Sequence, residues 1–401
     1  MTMKAAPQFA DWLSRTNDVT SRFIGAARIP GLINVAGGLP DPSLFPVDAL
    51  ADIAARAIRE HPQDTLAYGP TAGNPELREA LAAKFRARGV NVTAENVLVT
   101  ASGSQALDLV GKALIDPGAP VACVFPTYLG ALDSWRPRDP SYRHIDLADP
   151  AATRTALDGA RYAYLIPNFS NPTGHLVDLE GRETLLAAAT ATGTPIVEDD
   201  PYGALYFDGP RLPTLLELSA RGTDGPYEGP VIHLGSMSKQ LCPGLRVGWV
   251  VAAKETIKVL STAKQATDLC SNGLAQMMTL GAFQSGLIDA VHPKAIALYS
   301  ARRDALCDAL KTHLAAEFEW ERPVGGMFVW ARARDRSLDL DALVERGVEH
   351  GVLVGPGHVF DPLKVDGPAL RLNFTLNDEE RLATAMQRLK AAMQATRRKA
   401  A

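Results

Sequence analysis

Apolar residues recur along this chain in two textures, one spaced like the face of a helix and one packed into short β-branched runs. Helical spacing first shows over 47–59. Asn74-Pro75 then opens a second helix reaching about Arg88, since asparagine suits the cap and proline the first turn. Six short runs, 96–100, 120–125, 163–166, 195–198, 231–234 and 247–251, read as strands, most of them separated by helix-sized segments. That alternation predicts an α/β fold around a largely parallel sheet buried on both faces.

Beyond Asp289 the texture changes. A long helical pattern over 293–314 leads to a strand-like run at 326–331. A helix over 340–350, runs at 352–354 and 369–374, and a last helix from about Asp378 follow, ending in the basic tail Arg397-Arg398-Lys399. This order predicts a smaller α+β domain. Ahead of everything lies an arm with an amphipathic stretch over 9–24 and the turn-rich Gly37-Gly38-Leu39-Pro40-Asp41-Pro42. The expected division is an arm, 1–45, a large domain, 46–290, and a small domain, 291–401.

Composition narrows the functional classes. With 401 residues, 46% hydrophobic, and a formal net charge of -4, the chain gives no reason to expect nucleic acid or an anionic membrane as a partner. Cys123, Cys242, Cys270 and Cys307 are far apart, which fits reduced thiols better than a disulfide framework or a zinc site. No run approaches the roughly 20 apolar residues of a membrane span, and residues 1–12 lack the apolar core of a signal peptide. The eight histidines show no metal-ligand spacing. A cytoplasmic protein without a catalytic metal is the expectation.

The chemistry concentrates where strand patterns give way to loops, the ends at which open α/β sheets collect ligands. Gly235-Ser236-Met237-Ser238-Lys239 sets a lysine beside two hydroxyls, with Arg246 seven residues on. A lysine that forms an imine with an aldehyde cofactor needs a nearby phosphate anchor, and two serines and a guanidinium supply one. A polar loop with a solvated lysine is the plainer reading. Ser102-Gly103-Ser104-Gln105 opens a helical run and leaves backbone N–H groups free for a phosphate, or is a simple serine cap. Tyr128 emerges where it could stack on a flat ring, or belongs to the core. Asn171, in Asn171-Pro172-Thr173-Gly174, can donate to a phenolate oxygen, or only shape a turn.

Glu198-Asp199-Asp200 is costly to bury without a cation, and a protonated pyridine nitrogen would be one; a solvated acidic loop is the alternative. Tyr202 follows Asp199 by three residues and could reach the same ring. Arg371 lies inside the apolar run Leu370-Arg371-Leu372-Asn373-Phe374, where it wants a substrate carboxylate or a structural salt bridge.

Together with Tyr68 in Tyr-Gly-Pro-Thr-Ala-Gly, these motifs in this order closely resemble the class I/II aminotransferases, pyridoxal-phosphate enzymes of fold type I. The resemblance runs from about Gly37 to the C-terminus. The segment 36–42 looks most like the 2-aminoadipate/kynurenine/aromatic aminotransferase branch. It implies a mostly parallel, seven-stranded type of sheet flanked by helices and a homodimer with shared active sites.

By that resemblance Lys239 is the Schiff-base lysine and proton shuttle, with Asp199 on the pyridine nitrogen and Asn171 and Tyr202 on the ring hydroxyl. Tyr128 stacks on the ring. Ser102, Gly103, Ser104, Gln105, Ser236, Ser238 and Arg246 hold the phosphate, with Tyr68 of the neighbouring subunit. Arg371 takes the substrate's α-carboxylate, beside Gly38 and Asn171. Departures are few: Ser102-Gly103-Ser104-Gln105 stands where Gly-Ser-Gln-Gln is common, and Ser170 where glutamine is frequent. Arg22 and Arg28 are candidates for reading the substrate side chain.

The implied reaction moves an α-amino group, from an aromatic, kynurenine or 2-aminoadipate-like donor, to a 2-oxo acid such as 2-oxoglutarate by ping-pong turnover. A β-eliminating lyase on the same scaffold is an alternative. So is an aminotransferase-like ligand sensor, although the residues before Gly37 are not basic enough to suggest a DNA-binding module.

Overall fold

In the computed structural model residues 7–16, 19–25 and 29–400 are described, except the side chains of Arg22, Ile24 and residues 397–400. Arg28 and the side chains of Arg22, Arg397, Arg398 and Lys399 therefore lie outside the described residues. Thirteen strands are present among them: β1 (Ile33–Asn34), β2 (Val97–Thr100), β3 (Pro120–Cys123), β4 (Ser141–His144), β5 (Ala163–Leu165), β6 (Ile196–Asp199), β7 (Val231–Ser236), β8 (Gly248–Val251), β9 (Phe318–Glu319), β10 (Phe328–Ala333), β11 (Val352–Leu353), β12 (Gly355–Pro356) and β13 (Ala369–Asn373).

Seven of them form one sheet in the order β2-β8-β7-β6-β5-β3-β4. Only β8 runs antiparallel to its neighbours, β2 and β7; the other pairings are parallel. Helices cover both faces, which is why β2, β5, β6, β7 and β8 are buried along their whole length and read as unbroken apolar runs rather than alternating ones.

The one strand of this sheet that the apolar pattern misses is β4. Its sequence, Ser-Tyr-Arg-His, can be polar because β4 is only partly buried at its edge of the sheet, whereas β2, at the other edge, is covered along its whole length and stays apolar. The helix expected from 293 begins instead at Leu287 and runs to Leu314, with Pro293 inside it. Residue 290, the expected limit of the large domain, falls in the first turn of this helix.

A second, four-stranded antiparallel sheet has the order β12-β13-β10-β9. The run expected at 352–354 forms β11, which pairs in parallel with β1 of the arm, and β12 follows it outside that run to pair with β13. The arm is thereby tied to the C-terminal part of the chain, and Asn377 Nδ2 reinforces the tie by donating to Asn34 O at 2.8 Å.

Adjacent parallel strands also settle the fate of one acid. Glu198 on β6 lies in register with His233 on β7. Its carboxylate accepts from the N–H groups of Leu215 and Leu216, at 2.6 and 3.1 Å, and from His233 Nδ1 at 2.9 Å. Burial would raise the Glu198 pKa, yet the His233 contact and the two N–H groups hold it below its ordinary value. Burial would lower that of His233, and the hydrogen bond and charge of Glu198 raise it instead.

The pH dependence has two limits. The raised His233 pKa contributes stability that is complete below 6.5 and lost as pH climbs through its folded value. The lowered Glu198 pKa contributes stability present above 4.5 and lost as pH falls. Glu198→Gln should therefore cost about 1.5–3 kcal/mol, with the largest gap from the parent between those limits. Melting temperatures of the two proteins measured from pH 5 to pH 9 should converge as pH rises; a constant gap would contradict the charged pair.

Candidate active site

Strands β2, β5, β6 and β7 end against one cavity of about 390 Å³, closed on its far side by the arm and by β13. Lys239 enters it three residues after β7 ends. The strand reaches that point because Gly235 has no Cβ; one there would overlap the Trp249 indole on β8. Lys239 Nζ donates to Gly38 O at 2.7 Å. Burial first, then the nearby Arg371 and Arg246 charges, lowers the lysine's pKa to about 8. An amine so placed exchanges protons near neutrality, as an acid–base catalyst requires.

The three acids after β6 separate by strand geometry. Alternation turns Glu198 away to His233 and sets Asp199 in the cavity wall, while Asp200 accepts from Asn168 Nδ2 at 2.8 Å outside it. Asp199 is buried and, among the described residues, has no cationic side chain against it. Burial, opposed by a hydrogen bond from Tyr164 and reinforced by Asp200, lifts its pKa to about 7. A cation supplied at that point would restore the carboxylate.

Arg371, on β13, is nearly inaccessible to solvent. Its Nη1 donates to Asn171 Oδ1 at 2.8 Å and its Nη2 to Ala36 O. The guanidinium lies 4.5 Å from the Phe360 ring centroid, 4.7 Å from that of Phe328 and 5.4 Å from that of Phe23. Three aromatic faces stabilise a cation that water cannot reach. Burial nonetheless lowers its pKa to about 10, and its Nε has no hydrogen-bond partner among the described residues. An arginine in this state presents charge and donors to an anion in the cavity. Asn171 Nδ2 is 3.5 Å from Tyr202 OH, so the amide links Arg371 to Tyr202.

On the opposite wall, Ser102 caps the helix Gly103–Leu114 and adopts φ 151°, a value that favours glycine. A Cβ on Gly248 would lie 2.6 Å from Ser102 C and 2.7 Å from Gly103 N, so only glycine lets β8 come this close. Ser236 Oγ donates to Ser238 Oγ at 3.0 Å and accepts from the Ser238 N–H at 3.1 Å. Arg246, in the left-handed region at φ 53°, completes this wall. Hydroxyls, free helix N–H groups and a guanidinium are a donor set for a phosphate ester. Together with an unpaired acid, a poised lysine and the ring of Tyr128, they fit pyridoxal phosphate.

The structure thus brings together Gly38, Ser102, Gly103, Ser104, Tyr128, Asn171, Asp199, Tyr202, Ser236, Ser238, Lys239, Arg246 and Arg371 around one space. It does not bring Gln105 or Tyr68 there. The amide of Gln105 faces Ala101 and Asp268, and Tyr68 is 87% exposed. Sequence reasoning missed Tyr164, whose hydroxyl donates to Asp199 Oδ2 at 2.9 Å. In its own segment it looks like core. The β5–β6 register, pairing Tyr164 with Val197, puts it on the face of Asp199 two residues on. The linings supplied by Thr20, Phe23 and Phe360 were missed as well, since each comes from an element distant in sequence.

Comparison with known proteins agrees with this chemistry. The family described as aminotransferase class I and II matches residues 38–389. A 2-aminoadipate transaminase of Thermus thermophilus is 38% identical over 370 residues, 91% of this chain and 90% of that protein. Aromatic-amino-acid aminotransferase 1 of Thermococcus litoralis is 35% identical, over 89% of this chain and 87% of that protein. Among solved structures, the α-aminoadipate aminotransferase of Thermus thermophilus complexed with N-(5'-phosphopyridoxyl)-L-leucine superposes with a TM-score of 0.84 at 35% identity, covering 96% of this chain and 99% of that one. The chain belongs to the class I and II aminotransferases, of fold type I, and its cofactor is pyridoxal phosphate.

Proposed function

We propose that this aminotransferase takes the α-amino group from an aromatic, kynurenine or 2-aminoadipate-like amino acid and delivers it to a 2-oxo acid such as 2-oxoglutarate. One observation carries the reading: a single cavity combines a lysine near pKa 8 with a buried arginine set among three aromatic rings. The apolar lining beside Arg371 suits a large side chain, and the relatives named above support the donor class. The lyase and sensor alternatives have no observation of this kind in their favour.

Each residue has a task in this reading. Arg371 binds the carboxylate common to all substrates, with Gly38 and Asn171 beside it. Lys239 holds the aldehyde cofactor at rest and moves the α-proton once its amine is free. When bound, the cofactor supplies an electron sink that weakens the bond to that proton. Asp199 would keep the cofactor's ring nitrogen protonated, Tyr202 and Asn171 would hold the ring hydroxyl, and Tyr128 would lie against the ring. Ser102, Gly103, Ser104, Ser236, Ser238 and Arg246 would hold the phosphate. We further propose a homodimer in which the exposed Tyr68 serves the neighbouring phosphate, and a cytoplasmic setting suited to four free cysteines.

The donor assignment is tested with a panel of amino acids against 2-oxoglutarate and pyruvate. Aromatic amino acids, kynurenine and 2-aminoadipate should lead in kcat/KM, and preference for a small aliphatic donor would overturn the assignment. Release of ammonia and pyruvate in place of amino transfer would point to the lyase.

Asp199→Asn should lower kcat by about 10²-fold at saturating cofactor, whereas Asp200→Asn should cost less than about tenfold. Steady-state kinetics of the pair decide the register, since the opposite ranking would move the ring contact by one residue. Arg371→Leu should raise KM for every amino and oxo acid together, by ~2–5 kcal/mol in binding. An effect confined to one substrate would assign Arg371 to side-chain recognition. Co-refolding Lys239→Ala with Tyr68→Ala should restore activity, because one site of each hybrid dimer then carries neither defect. Hybrids that form and stay as weak as their parents would place Tyr68 in its own subunit's site or in none.

A further inference from the structure

Behind the wall of Ser102, Gly103 and Ser104 lies a second layer of polar groups. Gln105 Oε1 accepts from the Ala101 N–H at 2.7 Å, and its Nε2 donates to Asp268 Oδ2 at 2.7 Å. The other Asp268 oxygen, Oδ1, accepts from Lys264 Nζ at 2.7 Å. Lys264 is entirely buried. Three side chains from two helices thus run in series from a buried ammonium to a backbone N–H just ahead of Ser102.

This arrangement is costly if its purpose is stability alone. Lys264 is fully buried while Asp268 is only partly so, and taking an ammonium out of water for such a pair is seldom better than an apolar pair of similar size. Asp268 is also the last residue of the helix Lys254–Asp268, where the helix dipole opposes a carboxylate. Its position is explained by what its second oxygen does, which is to fix the Gln105 amide. The turn that Gln105 in turn fixes is strained: Ser102 sits at φ 151°, and its own cap contact to the Gln105 N–H is long, at 3.4 Å. Thr100 Oγ1 holds the other side of the turn by donating to Ser102 O at 2.9 Å.

We infer that Gln105, Asp268 and Lys264 form a brace that fixes the Ala101–Ser102 turn, so that the Gln105 side chain sets phosphate affinity by positioning, its amide directed away from the cofactor. The inference rests on the reading of residues 102–104 with Arg246 as the phosphate cradle. It gives the Gln105 side chain, oriented by Asp268, a role through the Ala101–Ser102 turn in place of a direct contact.

The test compares dissociation constants for pyridoxal phosphate and for pyridoxal, which lacks the phosphate, in the purified apoprotein. Gln105→Leu and Asp268→Asn should each weaken pyridoxal phosphate by about tenfold, the scale of one hydrogen bond to a charged group. Pyridoxal affinity and kcat at saturating cofactor should stay within about twofold. The double variant Gln105→Glu with Asp268→Asn reverses the donor and the acceptor. The carboxylate introduced at position 105 would still accept from the Ala101 N–H. The amide introduced at position 268 would donate to that carboxylate and accept from Lys264, and net charge would be unchanged. Affinity should return to within about threefold of the parent.

Failure of the double variant to recover, or equal weakening of pyridoxal and pyridoxal phosphate, overturns the brace. Arg246→Leu is the control for the underlying reading. If it too leaves the preference for the phosphate ester unchanged, the cradle assignment fails. If it abolishes the preference while the Gln105 variants do not alter it, the cradle stands and the brace fails. Should Gln105→Leu fold poorly, Asp268→Asn against the double variant decides alone.

Discussion

A carboxyl group taken out of water at the end of a parallel strand must either be neutral or have a cation beside it. At the end of β6 the chain meets this condition in two ways. Glu198 is satisfied inside the protein, by His233 and two backbone N–H groups. Asp199 receives one phenolic hydrogen bond and, among the described residues, no cationic side chain, which leaves its carboxyl balanced near neutrality. The sheet order follows the same division: β7 supplies the histidine for Glu198 and leads to the lysine three residues on, and β5 supplies the tyrosine for Asp199. The pairing of these three strands therefore sets which carboxyl stays inside the protein and which one faces the cavity.

The opposite side of the cavity depends on segments far apart in the chain. Arg371 is held between Asn171, from the loop after β5, and Ala36, from the arm. The arm is anchored by β1 on β11 and by Asp41, which pairs at 2.5 Å with Arg302 of the long helix Leu287–Leu314. Gly38 can follow this path only because it lacks a side chain; a Cβ there would lie 2.7 Å from the Phe328 ring. Packing, rather than any local motif, brings the arm to the lysine.

What could be read in the sequence follows from these differences. Strands buried on both faces leave continuous apolar runs, so all of the central sheet was legible except β4, whose partial exposure permits a polar sequence. Residues at strand ends, such as Lys239, Asp199 and Asn171, could be singled out because loop and strand textures change there. Tyr164 could not, since its role depends on the register between β5 and β6. Gln105 was legible as a residue of the right segment, but the direction of its amide depends on Asp268, 163 residues on. β12 was hidden because Gly355-Pro356 carries no strand pattern of its own, and β11's pairing with the arm has no local signal.

The hold of Ala36 on Arg371 has a thermodynamic consequence. The guanidinium offers five N–H donors, of which the contacts to Asn171 and Ala36 use two, so an acid entering the cavity meets a group that the arm has already oriented. Loosening the arm would free that orientation and add an ordering cost common to every acid. The same arm lines the cavity with Thr20, Phe23 and Leu39, so its docking bears on overall affinity and on the ranking of substrates together.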